Sequence, residues 1–261
     1  MNKQKGLLVG ALCAVILLGG TVSPLGEGSG MAASATQNQN QNQNQTQTAR
    51  LIEEILAKKR VPVYAECTST VYQFNFNRYD ITKLIYWDNT ANGLYRDEAS
   101  TMSDGPVHQV VSKDGKTTIY KVGDPRAIVY PAPTTFAASI DPVYNLNKLK
   151  ATTDITLAGE EQISNRPTYH FVGKGKAVPI PPNMPVLEAS KNRKYPDLEL
   201  WIDKETGIVM KSKGDHFETL VTKLDVAPPF APDTFTLTLP QGVKTVTQED
   251  LMKEEQAKQT P

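Results

Sequence analysis

Cysteine, histidine and any excess of one charge are all scarce in this sequence. Cysteine occurs only at Cys13 and Cys67, and Cys13 lies in an apolar run near the start. If that run is removed, a single thiol remains and no intramolecular disulfide can form. The folded part must then rest on its hydrophobic core, with Cys67 read as a small buried residue. Lysine plus arginine and aspartate plus glutamate both total 28. That balance leaves no basic face for phosphate and speaks against nucleic acid as a partner. His108, His170 and His216 are scattered, and none has a partner four residues away on a helix. The chain contains no H-E-x-x-H, C-x-x-C, G-x-S-x-G, Walker A or dinucleotide-binding loop. Nothing therefore points to a metal, a cofactor or an activated nucleophile. Asp203 with Glu205 forms a carboxylate pair, but it falls at a turn, where such residues serve solvation and turn hydrogen bonds. The reading is a binding protein, not an enzyme.

Long apolar stretches are also scarce. Lys3 and Lys5 precede the run Gly6 to Gly20, and Ala33-Ser34-Ala35 follows as an A-x-A signal. Charged start, apolar centre and small-residue site make the three-part form of an export signal. Continued to Val22, the run is short for a membrane span, which needs about 20 residues. Residues 1–35 thus read as a cleaved signal peptide, with an uncleaved N-terminal anchor as the other possibility. Either way the chain is expected outside the cytoplasm, secreted or tethered to the outer face of the cytoplasmic membrane. Thr36 to Thr48, TQNQNQNQNQTQT, has nothing apolar to bury and is expected to be a disordered linker holding the domain off the membrane or wall.

Residues 49–246 carry the periodicity of a folded domain. Leu51, Ile52, Ile55 and Leu56 share one helical face, opposite Glu53, Glu54, Lys58 and Lys59. The helix is expected to stop before Val61-Pro62 and to pack on a sheet. Strands are expected at Val71–Phe76, Lys83–Trp87, Leu94–Arg96, Val107–Val111, Thr117–Val122, Ala127–Tyr130, Asp154–Leu157 and Thr168–Val172. Asp114-Gly115 marks a tight hairpin. A short helix is expected over Val143 to Lys150, carrying Leu146 and Leu149 inward. Gly173 to Pro196 holds five prolines and reads as a long loop, either packed outside the domain or folded over a cavity as a flap. After it, Leu198, Leu200 and Ile202 alternate with Glu199, Trp201 and Asp203, and strands at Ile208–Lys211, Phe217–Val226 and Phe235–Leu239 follow. Trp201 is placed on the outer surface. Residues 247–261 form a charged tail of weak helical potential with no part in the core.

The order of these pieces carries a family resemblance. A strand ending in Trp201-Ile202-Asp203, a Thr206-Gly207 turn, a lysine-bearing return strand and a closing Phe235-x-Leu-x-Leu-Pro-x-Gly242 resemble the periplasmic outer-membrane lipoprotein carrier (LolA-like) family. The same pattern occurs in related sensor domains that bind anti-sigma factors. Leu157 to Phe171 is similar to that family's strand–turn–strand segment. The resemblance implies a mainly β fold: an open, unclosed antiparallel β-barrel of about ten strands with helices covering its concave face.

The function expected on that fold is binding of an acyl chain or a lipoprotein at the cell envelope. The alternative is a regulatory or sporulation/germination-type protein using the same fold for a protein partner. The inward-facing apolar residues expected to line the site are Tyr72, Phe74 and Phe76 on one strand, Leu198, Leu200 and Ile202 on another, and Phe235, Leu237 and Leu239 on the last. The alternation that places them inward is equally that of an ordinary packed core.

Overall fold

The computed structural model describes residues 44–101, 106–133, 139–179 and 193–259. The export segment, residues 1–35, the linker up to residue 43 and residues 180–192 of the proline-rich loop lie outside the described residues.

Twelve strands form one sheet. In chain order they are β1 (Val63–Gln73), β2 (Arg78–Asn89), β3 (Leu94–Thr101), β4 (Pro106–Lys113), β5 (Lys116–Lys121) and β6 (Arg126–Tyr130), then β7 (Thr153–Ile163), β8 (Arg166–Gly175), β9 (Leu198–Asp203), β10 (Val209–Gly214), β11 (Phe217–Val226) and β12 (Lys244–Thr247). Helix α1 covers residues 44–56, α2 is Pro142–Thr152 and α3 is Gln248–Gln259. Across the sheet the order is β12-β6-β5-β4-β3-β2-β1-β11-β10-β9-β8-β7, so β12 and β7 are opposite edges and the barrel stays open. Every pairing is antiparallel except β12 with β6. The turns follow local chemistry. Asp114 and Gly115 both have positive φ, 55° and 71°, which is the type I′ geometry that matches strand twist. Ser164 and Asn165 make the corresponding turn between β7 and β8, at 49° and 63°.

The two faces are sorted by alternation. On the inner face α1 and α2 lie over β8, β9 and β10: Leu51, Ile52, Ile55, Leu146 and Leu149 meet Phe171, Leu198, Leu200, Ile202 and Val209. Further along the same face, Val63, Ala65 and Cys67 of β1 pack with Tyr86, Tyr95, Ile140, Met210 and Val221. Cys67 is buried as expected, and desolvation pushes its thiol up to about 12, so it stays protonated and unreactive at neutral pH. Asp141 caps α2 by accepting from the amide of Val143 at 2.7 Å, with Pro142 in the first turn. Gly173 leaves room for α2 to pack on the sheet. A Cβ there would lie 2.6 Å from Leu149 Cδ1 and run into Thr153 Oγ1.

Four expectations need correcting. First, α1 includes residues 44–48, inside the tract expected to be disordered to Thr48. Thr48 is only 3% exposed, and its hydroxyl accepts from the amide of Leu157 at 3.1 Å, so tertiary contact extends the helix into a polar repeat. Second, the strand expected at Val71–Phe76 ends at Gln73; Phe74–Phe76 is a single turn of 3-10 helix, closed by Asn77 at φ 49°. Third, Phe235–Leu239 forms no strand. Prolines at 228, 229, 232 and 240 surround it, and Arg96 Nη1 binds the carbonyls of Thr234 and Thr236 at 3.0 and 3.4 Å, occupying acceptors a ladder would need. Fourth, a strand not expected after Gly242, β12, joins the sheet edge, while the weak helical potential of the tail is realised as α3, which a reciprocal capping box of Thr247 with Asp250 starts. Arg126 Nη1 pairs with Glu254 at 2.7 Å, tying α3 to β6.

Candidate functional site

The nine residues expected to line a ligand site are not brought together. Leu198, Leu200 and Ile202 are 6%, 0% and 0% exposed, packed beneath α1 and α2 within the filled core. Register places Tyr72 on the outer face, opposite Tyr79, while Phe74 and Phe76 stand on the exposed hairpin apex. Phe235, Leu237 and Leu239 line a shallow hollow of about 270 Å³ with Val111 and Thr118. Val111 pairs with Arg96 and Thr118, whereas the neighbouring Tyr95 and Val110 belong to the inner cluster. That hollow is therefore on the outer face. Period 2 identified which side chains point the same way within a segment, but not to which face of the sheet each segment belongs.

Free space on the inner face lies at the mouth between α1 and α2. A cavity of about 130 Å³ is formed by Ile55 and Leu56 of α1, Val61 and Val63 leading into β1, and Ile140 and Val143 at the start of α2. Each wall has a local cause. α1 ends at residue 56, and the residue before Pro62 is held extended, so Val61 and Val63 face the same way two residues apart. Ile140 precedes the Asp141 cap, which turns the chain into α2 beside it. The rim is polar: Arg60 Nη2 meets Asp141 Oδ2 at 2.5 Å. One aspartate thus caps α2 and clamps the connection between α1 and β1. Asp88 lines the floor, 8% exposed. Burial pushes its carboxyl up, opposed by hydrogen bonds from the amide and hydroxyl of Thr90 and by the charge of Arg60. A larger hollow, about 410 Å³, sits at the other end of α1. It is edged by Gln45, Glu53, Lys150, Asp154 and Lys176, so an apolar guest there would have to displace water from charges. The cavity at the mouth is the better fit for an apolar group. An apolar cavity of about 150 Å³ is enough to take a benzene ring, so this one suits the end of a single chain.

Other ionisable groups are committed to structure. His170 Nδ1 lies 2.9 Å from Glu161 Oε1 and Nε2 lies 2.9 Å from Glu199 Oε2. Its ring stacks on Trp201 at 4.1 Å. Trp201 donates from Nε1 to Glu161 at 2.9 Å and carries Lys211 over its ring. This is the outer-face packing expected of Trp201. On the inner face, Asp97 accepts from the Tyr95 hydroxyl at 2.8 Å. Burial raises its carboxyl, with the Tyr95 hydrogen bond and the charge of His108 opposing. The folded protein therefore favours the neutral acid relative to the unfolded chain, a contribution present at low pH and lost as pH rises through the raised value. Asp97→Asn is expected to raise the melting temperature at neutral pH, the gain vanishing under acid conditions. Thermal denaturation across pH checks this, and a loss at neutral pH would contradict it. Among the described residues no three His, Cys, Asp or Glu side chains are grouped to hold a metal, and no helix is long and apolar enough to cross a membrane.

A single unclosed, mainly antiparallel sheet with two helices on its inner face and an apolar cavity at their mouth defines the protein's architecture. No family model and no curated protein matches the chain. Among solved structures it is similar to an uncharacterized conserved protein from Thermus thermophilus, at 12% identity and TM-score 0.46, covering 77% of this chain and 99% of that one. MucB in the MucA/MucB complex of Pseudomonas aeruginosa is similar at 15% identity and TM-score 0.44, over 75% of this chain and 61% of that one. A LolA superfamily protein from Nitrosomonas europaea matches at 7% identity and TM-score 0.28, over 69% and 91%.

Proposed function

We propose that this chain is an exported, non-catalytic binding protein of the cell envelope that holds an acyl chain, of a lipid or of a lipoprotein, at the mouth between α1 and α2. The observation that carries the reading is the largely apolar cavity bounded by Leu56, Val61, Val63 and Val143 on the inner face. A preformed apolar recess with a polar rim takes the end of a chain without first breaking the core. A longer chain would continue beneath α1 by lifting that helix. The contacts holding α1 to other elements are mainly side-chain packing, with Thr48 hydrogen-bonded to Leu157 and Glu53 paired with Lys150.

Leu56→Trp tests this. Leu56 is half-buried at the cavity wall, so a larger ring fills the recess at little cost in stability. Native mass spectrometry of the protein purified from its own envelope should show a lipid or acyl-bearing mass on the wild type. That mass should be absent from L56W at an unchanged melting temperature. Wild-type protein without adduct, or an adduct retained by L56W, would defeat the proposal.

A further inference from the structure

The tip of the β1–β2 hairpin is the most exposed apolar feature among the described residues. Phe74 is 65% exposed, Phe76 68% and Tyr79 62%. They do not stand singly, as scattered surface hydrophobics do. Phe74 meets Tyr72 edge-on at 5.0 Å and His216 at 4.6 Å, and Tyr72 meets Tyr79 at 5.0 Å. The ribbon runs past its β11 neighbour. Its last partner there is Phe217 opposite Val71, with the amide of Tyr72 donating to His216. Aromatic rings gathered at the apex of a hairpin can sink into a fluid surface.

Its chemistry is layered in the order that a membrane interface requires. The two phenylalanines are outermost. The amphipathic Tyr79 and Tyr72 lie behind them, and Arg78 places its guanidinium over the Phe76 ring at 5.3 Å while pairing with Asp80 at 3.0 Å. Rings of this kind lodge at the boundary between headgroups and acyl chains, with hydroxyls and cations remaining in the polar layer. A second observation comes from where the preceding chain joins the domain. Ile155, Gly173, Leu198, Gly214, Phe217 and Val71 lie on one cross-strand row. The start of α1 is attached at that row's level, since Gln45 and Thr48 line a hollow with Thr153 and Ile155. The chain ahead of residue 44 therefore joins the described domain at the same end of the strands as the aromatic tip. We propose that the β1–β2 tip, led by Phe74 and Phe76, inserts into the interface of a lipid bilayer and sets this end of the sheet against the membrane.

The full chain carrying Phe76→Trp, mixed with phosphatidylcholine vesicles whose acyl chains are brominated, tests the proposal. The substitution is at an exposed position and keeps an aromatic ring, so folding is preserved. The wild type, with Trp87 and Trp201 away from the tip, is the blank. The added indole emission should shift to the blue and be quenched severalfold by the brominated lipid. Adding Phe74→Asp, which puts a charge at the apex, should abolish that quenching at an unchanged melting temperature. Because Arg78 is neutralised by Asp80, neutral vesicles should suffice. Emission that stays at the wavelength of water-exposed indole and is not quenched would overturn the proposal and leave the tip to a protein partner. Either result is independent of whether the α1–α2 mouth binds a chain.

Discussion

Asp203→Ala should unfold the protein at a markedly lower denaturant concentration, with a loss of about 3–5 kcal/mol, the size expected when one partner of a buried ion pair is removed. Asp203 is 0% exposed. It accepts from Arg166 Nε at 2.7 Å and Nη2 at 3.0 Å, and from the amide and hydroxyl of Thr206, both at 2.7 Å. These bonds lock β8 to the end of β9 and shape the turn into β10. Without the carboxylate, Arg166 keeps only the exposed Glu205, at 2.8 Å. Burial by itself raises the Asp203 carboxyl, but the hydrogen bonds from Arg166 and Thr206 outweigh it and hold the group below the usual carboxylate range. A depressed folded value means that the contribution is fully present above the unfolded value, about 3.9, and is lost as pH falls through the folded one. The stability difference between wild type and D203A should therefore shrink in acid. Urea titration at neutral and acid pH measures both effects. A neutral-pH loss within about 0.5 kcal/mol, typical of surface changes, would show that the pair contributes little.

Leu200→Trp should cost about 1–3 kcal/mol, the usual penalty for overfilling a packed core, and should leave bound lipid unchanged. Leu200 is 0% exposed and lies under both inner-face helices with Phe171, Leu146 and Leu149 around it. Paired with L56W, it separates core from site. One substitution should lower the melting temperature and spare the ligand, and the other should spare the melting temperature and remove the ligand. If L200W were neutral in stability while displacing lipid, the space beneath the helices would be the site and the mouth would not.

Much of the architecture was legible in the chain because strand period and turn chemistry are local. The β11 segment Phe217–Val226, the Asp114-Gly115 hairpin and the α2 helix with Leu146 and Leu149 inward were all readable that way. Segments whose state is decided by distant partners were not. Phe235 to Leu239 alternates as a strand does, yet Arg96 and the surrounding prolines hold it unpaired on the outer face. Residues 44–48 look like a polar repeat, but Thr48 accepts a hydrogen bond from the Leu157 amide of β7. The strand Lys244–Thr247 is short, polar and parallel to a partner more than a hundred residues earlier, so no local pattern announces it. The candidate cavity escaped for the same reason. Val61 and Val63 meet Ile140 and Val143 only after the sheet has formed. The Asp141-Pro142 helix-start signal was present in the sequence, but its pairing with Arg60 was not.

The most direct test of the acyl-chain site is to fix the ligand in place. A fatty acid bearing a photoreactive diazirine near its methyl end is incubated with the purified protein, irradiated, and the adducts are mapped by peptide mass spectrometry. The account predicts adducts within residues 55–63 and 140–143, the two sides of the mouth, and their loss in L56W. Adducts confined to residues 235–239 on the outer face, or none anywhere, would contradict it.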